Sequence, residues 1–332
     1  MYNNSLCYLD ILRVNYRPEY LRQTFRGMAS RNRNNAIKLL NDNRLQFPTL
    51  FLLIPEIDAL NLYEELIPRS IAAIRLCAKK QNQNELYERL SRLLPEDSSK
   101  SHEALKWMLV TGLNWDGPSK LYDSYDAAID AAAALLIVTY KDTDVLPGIA
   151  KLIFRRNRKG LFIHDLVWCF FKSCDLSAPK LVAEYLRSGN LKDVELACGL
   201  LHIPMPADAH RQSVRNKLYS QYMSWFNNNL PYLCFSGEFY HRTSEPNPVY
   251  EDMEAKYLGK RIFPKDGRPI DPLTSDEENS LVRFRTLKND EAAAVASYSA
   301  KIKNTDGGAW KQWMKGNLAQ QVSTAKSETA VV

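Results

Sequence analysis

Four cations, Arg155, Arg156, Arg158 and Lys159, crowd the stretch KLIFRRNRKGLFIHDLVWCFF (151–171), and a second basic group, Arg26, Arg31 and Arg33, lies in RGMASRNRNN. Guanidinium and ammonium groups at this density can neutralise successive phosphates, so two such patches on one face would suit a nucleic acid or another polyanion. The same cations also suit a helix end. In the last turn each complements the negative end of the helix dipole by about 0.3–1 kcal/mol, and Gly160 is the residue type expected just beyond. A helix–helix turn therefore explains the stretch without a ligand. It predicts all four cations in solvent, with Ile153, Leu166, Val167 and Phe170 buried beside them.

Other residues of chemical type are sparser. Asp123, Asp126 and Asp130 stand at i, i+3 and i+7, along one side of a helix. That spacing can hold a hard cation, but it is also that of a solvated helical face whose early acids complement the dipole. His164, Cys169 and Cys174 are five residues apart, so each step turns them about 140° on a helix and they cannot converge on one zinc ion. Cys198 and His202 are one turn apart and lack two further ligands. In GLNWDGPSK, Trp115 reads as a packing residue, with Asp116 and Pro118 as turn formers. No phosphate loop, nucleophile elbow or metalloprotease spacing occurs. Neither a metal nor a cofactor is expected.

The elements that must carry these residues follow from composition and period. At 332 residues, 45% hydrophobic and 25% charged, the chain has the balance of a soluble globular protein. Its net charge of +6 is local: residues 1–50 hold eight Lys/Arg against three Asp/Glu, residues 101–150 three against seven, and residues 151–200 nine against five. Cys7, Cys77, Cys169, Cys174, Cys198 and Cys234 are scattered in apolar surroundings, which reads as reduced and mostly buried. The N-terminus lacks the features of a secretory signal, and Ala127–Val138 is too short to cross a bilayer. A cytoplasmic location without membrane contact is expected.

From Tyr20 to about Ile203 the apolar positions recur at three and four, with no hairpin signal between alternating runs. Pro55, Pro68 and Pro95 read as stops of early helices. SAPKLVAEYLRSGNLKDVELACGLLHIP reads as a helical hairpin. Leu181, Val182, Tyr185 and Leu186 line its first helix, Leu191, Val194, Cys198 and Leu200 its second, and Asn190 caps the latter. A second hairpin places Ile149, Leu152 and Ile153 before Gly160 and an apolar helix after it. These hairpins, clearest over residues 100–203 with uneven unit starts at Ser101, Asp144 and Ser177, resemble HEAT-like or armadillo-like helical-repeat proteins. The resemblance implies stacked helices that present surfaces to partners. Some helical-repeat DNA glycosylases pair aromatics with a catalytic Asp, and the Trp115–Asp116 loop is similar to them in residue type only.

Beyond Trp225 the texture changes. Six prolines between Pro231 and Pro272 are interleaved with Tyr232, Phe235, Phe239, Tyr240, Tyr250, Tyr257 and Phe263. The segment reads as an extended arm whose rings pack against its own body or, preferably, a neighbouring chain. Ser275 and Glu278 have capping-box spacing, a last helix is expected near Ala309, and the polar tail beyond Gly316 is expected to fray. The expected fold is all-α, with irregular stacked helical hairpins over 1–226, an extended arm over 227–274 and terminal helices over 275–332. The favoured function is a non-enzymatic structural or adaptor subunit of a larger cytosolic assembly or homo-oligomer. Its partner-binding residues would be the seven arm rings. The alternative is a nucleic-acid-binding helical-repeat protein that uses the basic groups at 26–33 and 155–159, at its furthest an enzyme acting on bases.

Overall fold

A computed structural model describes residues 6–94, 98–115, 122–235 and 249–329. The fold is all-α, apart from one two-stranded ladder among the described residues. The chain divides into two compact units, Met1–Ser173 and Cys174–Val332. That boundary falls inside the stretch read as one body, so the hairpin after Ser177 belongs to the second unit.

The first unit runs α1 (Tyr8–Asn15), α2 (Pro18–Arg31), α3 (Arg33–Leu40), α4 (Phe47–Ala59), α5 (Pro68–Lys80), α6 (Asn84–Leu93), α7 (Ser98–Gly112), α8 (Tyr122–Ala134), α9 (Leu146–Lys159) and α10 (His164–Phe171). Proline marks starts more than stops here. Pro18 and Pro68 occupy first turns, where the missing N–H has no intrahelical partner to lose. Pro55, read as a stop, lies inside α4, whose next turn is held by buried Glu56 and Ile57. Helices pack on their neighbours and their neighbours' neighbours: α5 on α6, α7 and α8, α4 on α1, α2, α5 and α7, and α10 on α8 and α9. This pattern is compatible with the helical-repeat class. Phe47, Phe51, Trp107, Trp115 and Tyr125 form an aromatic centre, with Trp115 and Tyr125 rings 4.0 Å apart. Gly112 makes room for it, since a Cβ there would stand 2.6 Å from the Tyr125 hydroxyl.

The expected turn at Gly160 is present. Gly160 is left-handed at φ +68° and closes α9, and every residue of α10 from Leu166 to Phe171 is buried. A π-helical turn, Leu135–Thr139, extends α8.

The second unit holds α11 (Ser177–Ala183), a 3-10 turn (Glu184–Arg187), α12 (Leu191–Leu200) and α13 (Gln212–Asn229), and Asn190 caps α12 by accepting from the Lys192 N–H. Then follow β1 (Leu233–Cys234), β2 (Tyr250–Glu251), α14 (Met253–Leu258), α15 (Ser275–Phe284), α16 (Asn289–Thr305), α17 (Gly307–Met314) and α18 (Leu318–Thr329). The arm is therefore not simply extended. Its prolines cannot donate, but the carbonyls of Pro231 and Pro264 accept from Ile262 and Phe235, and β1 pairs antiparallel with β2. The capping box lies one residue earlier than expected, at Thr274 and Glu277. The tail does not fray at Gly316: α18 packs on α16, with Gln321 and Ala325 buried.

Candidate interaction surfaces

Helix α1 carries two faces of different chemistry. Inward, Leu9 and Leu12 are buried with Asp10. The Asp10 carboxylate accepts from the Thr49 hydroxyl at 2.5 Å, the Gln46 N–H at 3.3 Å and the Cys7 thiol at 3.0 Å. Arg13 donates to Thr49 Oγ1 and Gln46 Oε1, each at 2.8 Å. A buried carboxylate with this many donors fixes the helix on α4. Outward, Tyr8, Ile11 and Val14 follow at i, i+3 and i+6 and are 48%, 43% and 57% exposed. Tyr16 and Tyr20 continue the apolar surface onto α2, with ring centroids 4.5 Å apart. Sequence reasoning missed this face. Its signal was that α1 is apolar on more sides than one packed helix can bury.

The basic groups are less available than their density suggests. Arg158 and Lys159 are exposed and Arg155 is half-buried, but Arg156 is 2% exposed, which corrects the expectation that all four face solvent. Arg156 turns inward because the carboxylates of α8 are there. It reaches Asp126 at 2.9 Å and Asp130 at 2.8 Å. Burial pushes Asp130 up to about 6 and Asp126 upward, against the opposing pull of the Arg156 charge. Two of the three acids considered for a cation, Asp126 and Asp130, thus hold an internal guanidinium, while Asp123 is exposed. In the first group, Arg26 binds Glu56 at 2.7 Å and Arg33 binds Glu65 at 2.8 Å, while Arg31 is exposed.

The arm rings separate as well. Tyr232, Phe235 and Tyr257 are buried within their own unit, while Tyr250 and Phe263 are exposed. Phe239 and Tyr240 lie outside the described residues. Tyr257 stacks on Phe284 at 4.4 Å, and its hydroxyl donates to Gln321 Oε1 at 2.9 Å. Three of the proposed partner-binding rings are therefore buried: Tyr257 packs with residues of α14, α15, α16 and α18, and Tyr232 with Cys234, Ala255, Ile262 and Ala300.

Cys7, Cys77, Cys169, Cys198 and Cys234 are buried and Cys174 half-buried, all as free thiols. Burial pushes Cys77 and Cys169 up to about 12, far from the thiolate that reactivity needs. Among the described residues no group of His, Cys, Asp or Glu is arranged to hold a metal ion. Trp115 is buried as a packing ring, and Asp116 lies outside the described residues.

Two hollows in the first unit were not legible in the sequence. One, of about 860 Å³, is lined by both charges, with Arg22, Asp58, Glu85 and Arg89 among amide side chains of the α5–α6 turn. The other, of about 310 Å³, lies among α5, α7 and the π-helical turn. Together the fold and these surfaces define an all-helical protein in which no described helix is long and apolar enough to cross a membrane. No protein-family model, curated protein or solved structure matches the chain.

Proposed function

We propose that the protein is a structural or adaptor subunit of a larger assembly and docks a partner protein on the outer face of α1 and α2. The observation that carries this reading is the contrast within α1, where a buried polar anchor at Asp10 holds a helix that leaves Tyr8, Ile11 and Val14 in solvent. Rings and aliphatic side chains on a rigid support lose little conformational entropy on binding, and tyrosine is enriched among residues that dominate interface energies. A contiguous apolar patch of this kind is the surface feature that most often marks a protein contact. The nucleic-acid reading has less support, since Arg26, Arg33 and Arg156 each have a carboxylate partner inside the chain. The test is affinity purification from the native source of the natural chain and of a variant with Tyr8→Ser, Ile11→Ser and Val14→Ser. The expected outcome is a stoichiometric protein partner that resists added salt and is lost from the variant, with the helical content unchanged. A salt-sensitive nucleic acid as the bound material, or a partner retained by the variant, overturns the reading.

A further inference from the structure

Three arginines are buried among the described residues, and they differ in how their N–H groups are met. Arg156 faces two carboxylates, and Arg215 donates to the carbonyls of Ala209 and His210 and to Gln212. Arg75 is 8% exposed, and among the described residues its only acceptor is the Leu94 carbonyl, at 2.7 Å from Nη1. No carboxylate among the described residues pairs with it. A guanidinium has five N–H groups and does not deprotonate, and none of the Arg75 nitrogens is enclosed without a partner, so the N–H groups that Leu94 does not meet remain open to an anion. Arg75 lines the 310 Å³ hollow.

The rest of that lining has one sign of charge. Lys79 is the other ionisable aliphatic group, with Nζ 5.6 Å from the centre of the Tyr87 ring, and no Asp or Glu among the described residues takes part. Ser101, Thr139 and Tyr140 supply hydroxyls, and alanine and leucine side chains of α5 and α7 supply apolar wall. The π-helical turn forms one side, and such turns widen a helix where a site needs room. The chain after it is held in place: Lys141 is left-handed at φ +56°, the His102 ring stacks on Tyr140 at 4.8 Å, and Asp142 bonds His102 at 2.8 Å and Lys106 at 3.0 Å. The volume is at the small end of ligand cavities.

We propose that this hollow binds a small organic anion, a carboxylate or phosphate monoester on a short apolar body, with Arg75 as its buried counter-charge and Lys79 at its rim. This site is separate from the α1–α2 face, and its failure would leave that reading standing. The probes are sodium octanoate and phenyl phosphate, titrated into the full chain by calorimetry and by amide NMR, with octanol as the neutral control. Saturable binding of one anion, with shifts centred on Ser101, Thr139 and Tyr140 and with octanol inert, is the expected result. Arg75→Gln should weaken it at least tenfold. Lys79→Gln, at an exposed position whose folding is safe, should weaken it several-fold. Absence of binding by both anions, equal binding of octanol, or affinity unchanged in Lys79→Gln and Arg75→Gln overturns the proposal. Glu96 and Asp97, outside the described residues, follow Leu94 in sequence. If the natural chain binds neither anion and Glu96→Gln with Asp97→Asn creates binding, the counter-charge is the chain's own and the proposal fails.

Discussion

Two ring-rich regions of this protein divide their rings differently between core and solvent, although Tyr250 and Phe263 of the arm are exposed. Around α1 and α2, Tyr8, Tyr16 and Tyr20 stay in solvent, whereas in the arm Tyr232, Phe235 and Tyr257 are buried. Around α1, the inward positions are already filled by Leu9, Leu12 and the Asp10 anchor, so the remaining apolar positions have nowhere to go. In the arm, α16 and α18 bring an apolar face to which the rings can turn, and backbone bonds through proline carbonyls tie the segment down. Aromatic content alone does not say whether a segment binds a partner. What decides is whether its own unit offers a surface for the rings.

The comparison is tested most severely at Tyr257. Tyr257→Ala removes a ring stacked on Phe284 and leaves Gln321 without its hydroxyl partner, so it should destabilise the second unit by about 3–5 kcal/mol. Chemical denaturation checks this, and a loss below about 1 kcal/mol would mean the ring is not a core residue.

The charges repeat the lesson, with Arg156 inside and Arg31 outside. Asp130, raised by burial to about 6, holds its proton more tightly when folded than when unfolded. Its contribution to stability should therefore be greatest below its ordinary range and decline as pH rises from about 4 through 6, by on the order of 3 kcal/mol. The difference in stability between the natural chain and Asp130→Asn across that window isolates the effect. A flat difference would contradict it.

The smallest effect on stability belongs to the outer face of α1. Tyr8→Ser, Ile11→Ser and Val14→Ser should each change unfolding free energy by no more than about 0.5 kcal/mol, because each removes mainly exposed surface. A larger loss would show that the face is covered within the chain.

Much of the helical plan is legible in the sequence. Gly160 ends α9 where its left-handed conformation is needed, Asn190 caps α12, and the apolar run before Phe171 is buried as its lack of a polar side requires. What sequence period does not carry is the identity of partners far along the chain. Nothing near Arg156 announces that Asp126 and Asp130 face it across two helices, so its cluster reads as four equivalent cations. The polar composition of α18 likewise hides that Gln321 is buried to receive the Tyr257 hydroxyl and to donate to the carbonyl of Trp313. The α1 face was missed for the converse reason. In an eight-residue helix nothing in the period says which apolar positions have a neighbour to cover them.

The central claim is that the outer face of α1 meets another protein, and the most direct measurement is site-specific photocrosslinking in the native source. A photoreactive residue would be placed at Ile11, at Val14 or, as a control of similar exposure in the second unit, at Val282. The account predicts one and the same protein captured from positions 11 and 14, lost when Tyr8→Ser is added, and not captured from 282. No capture from positions 11 and 14, or equal capture of the same protein from 282, would contradict it.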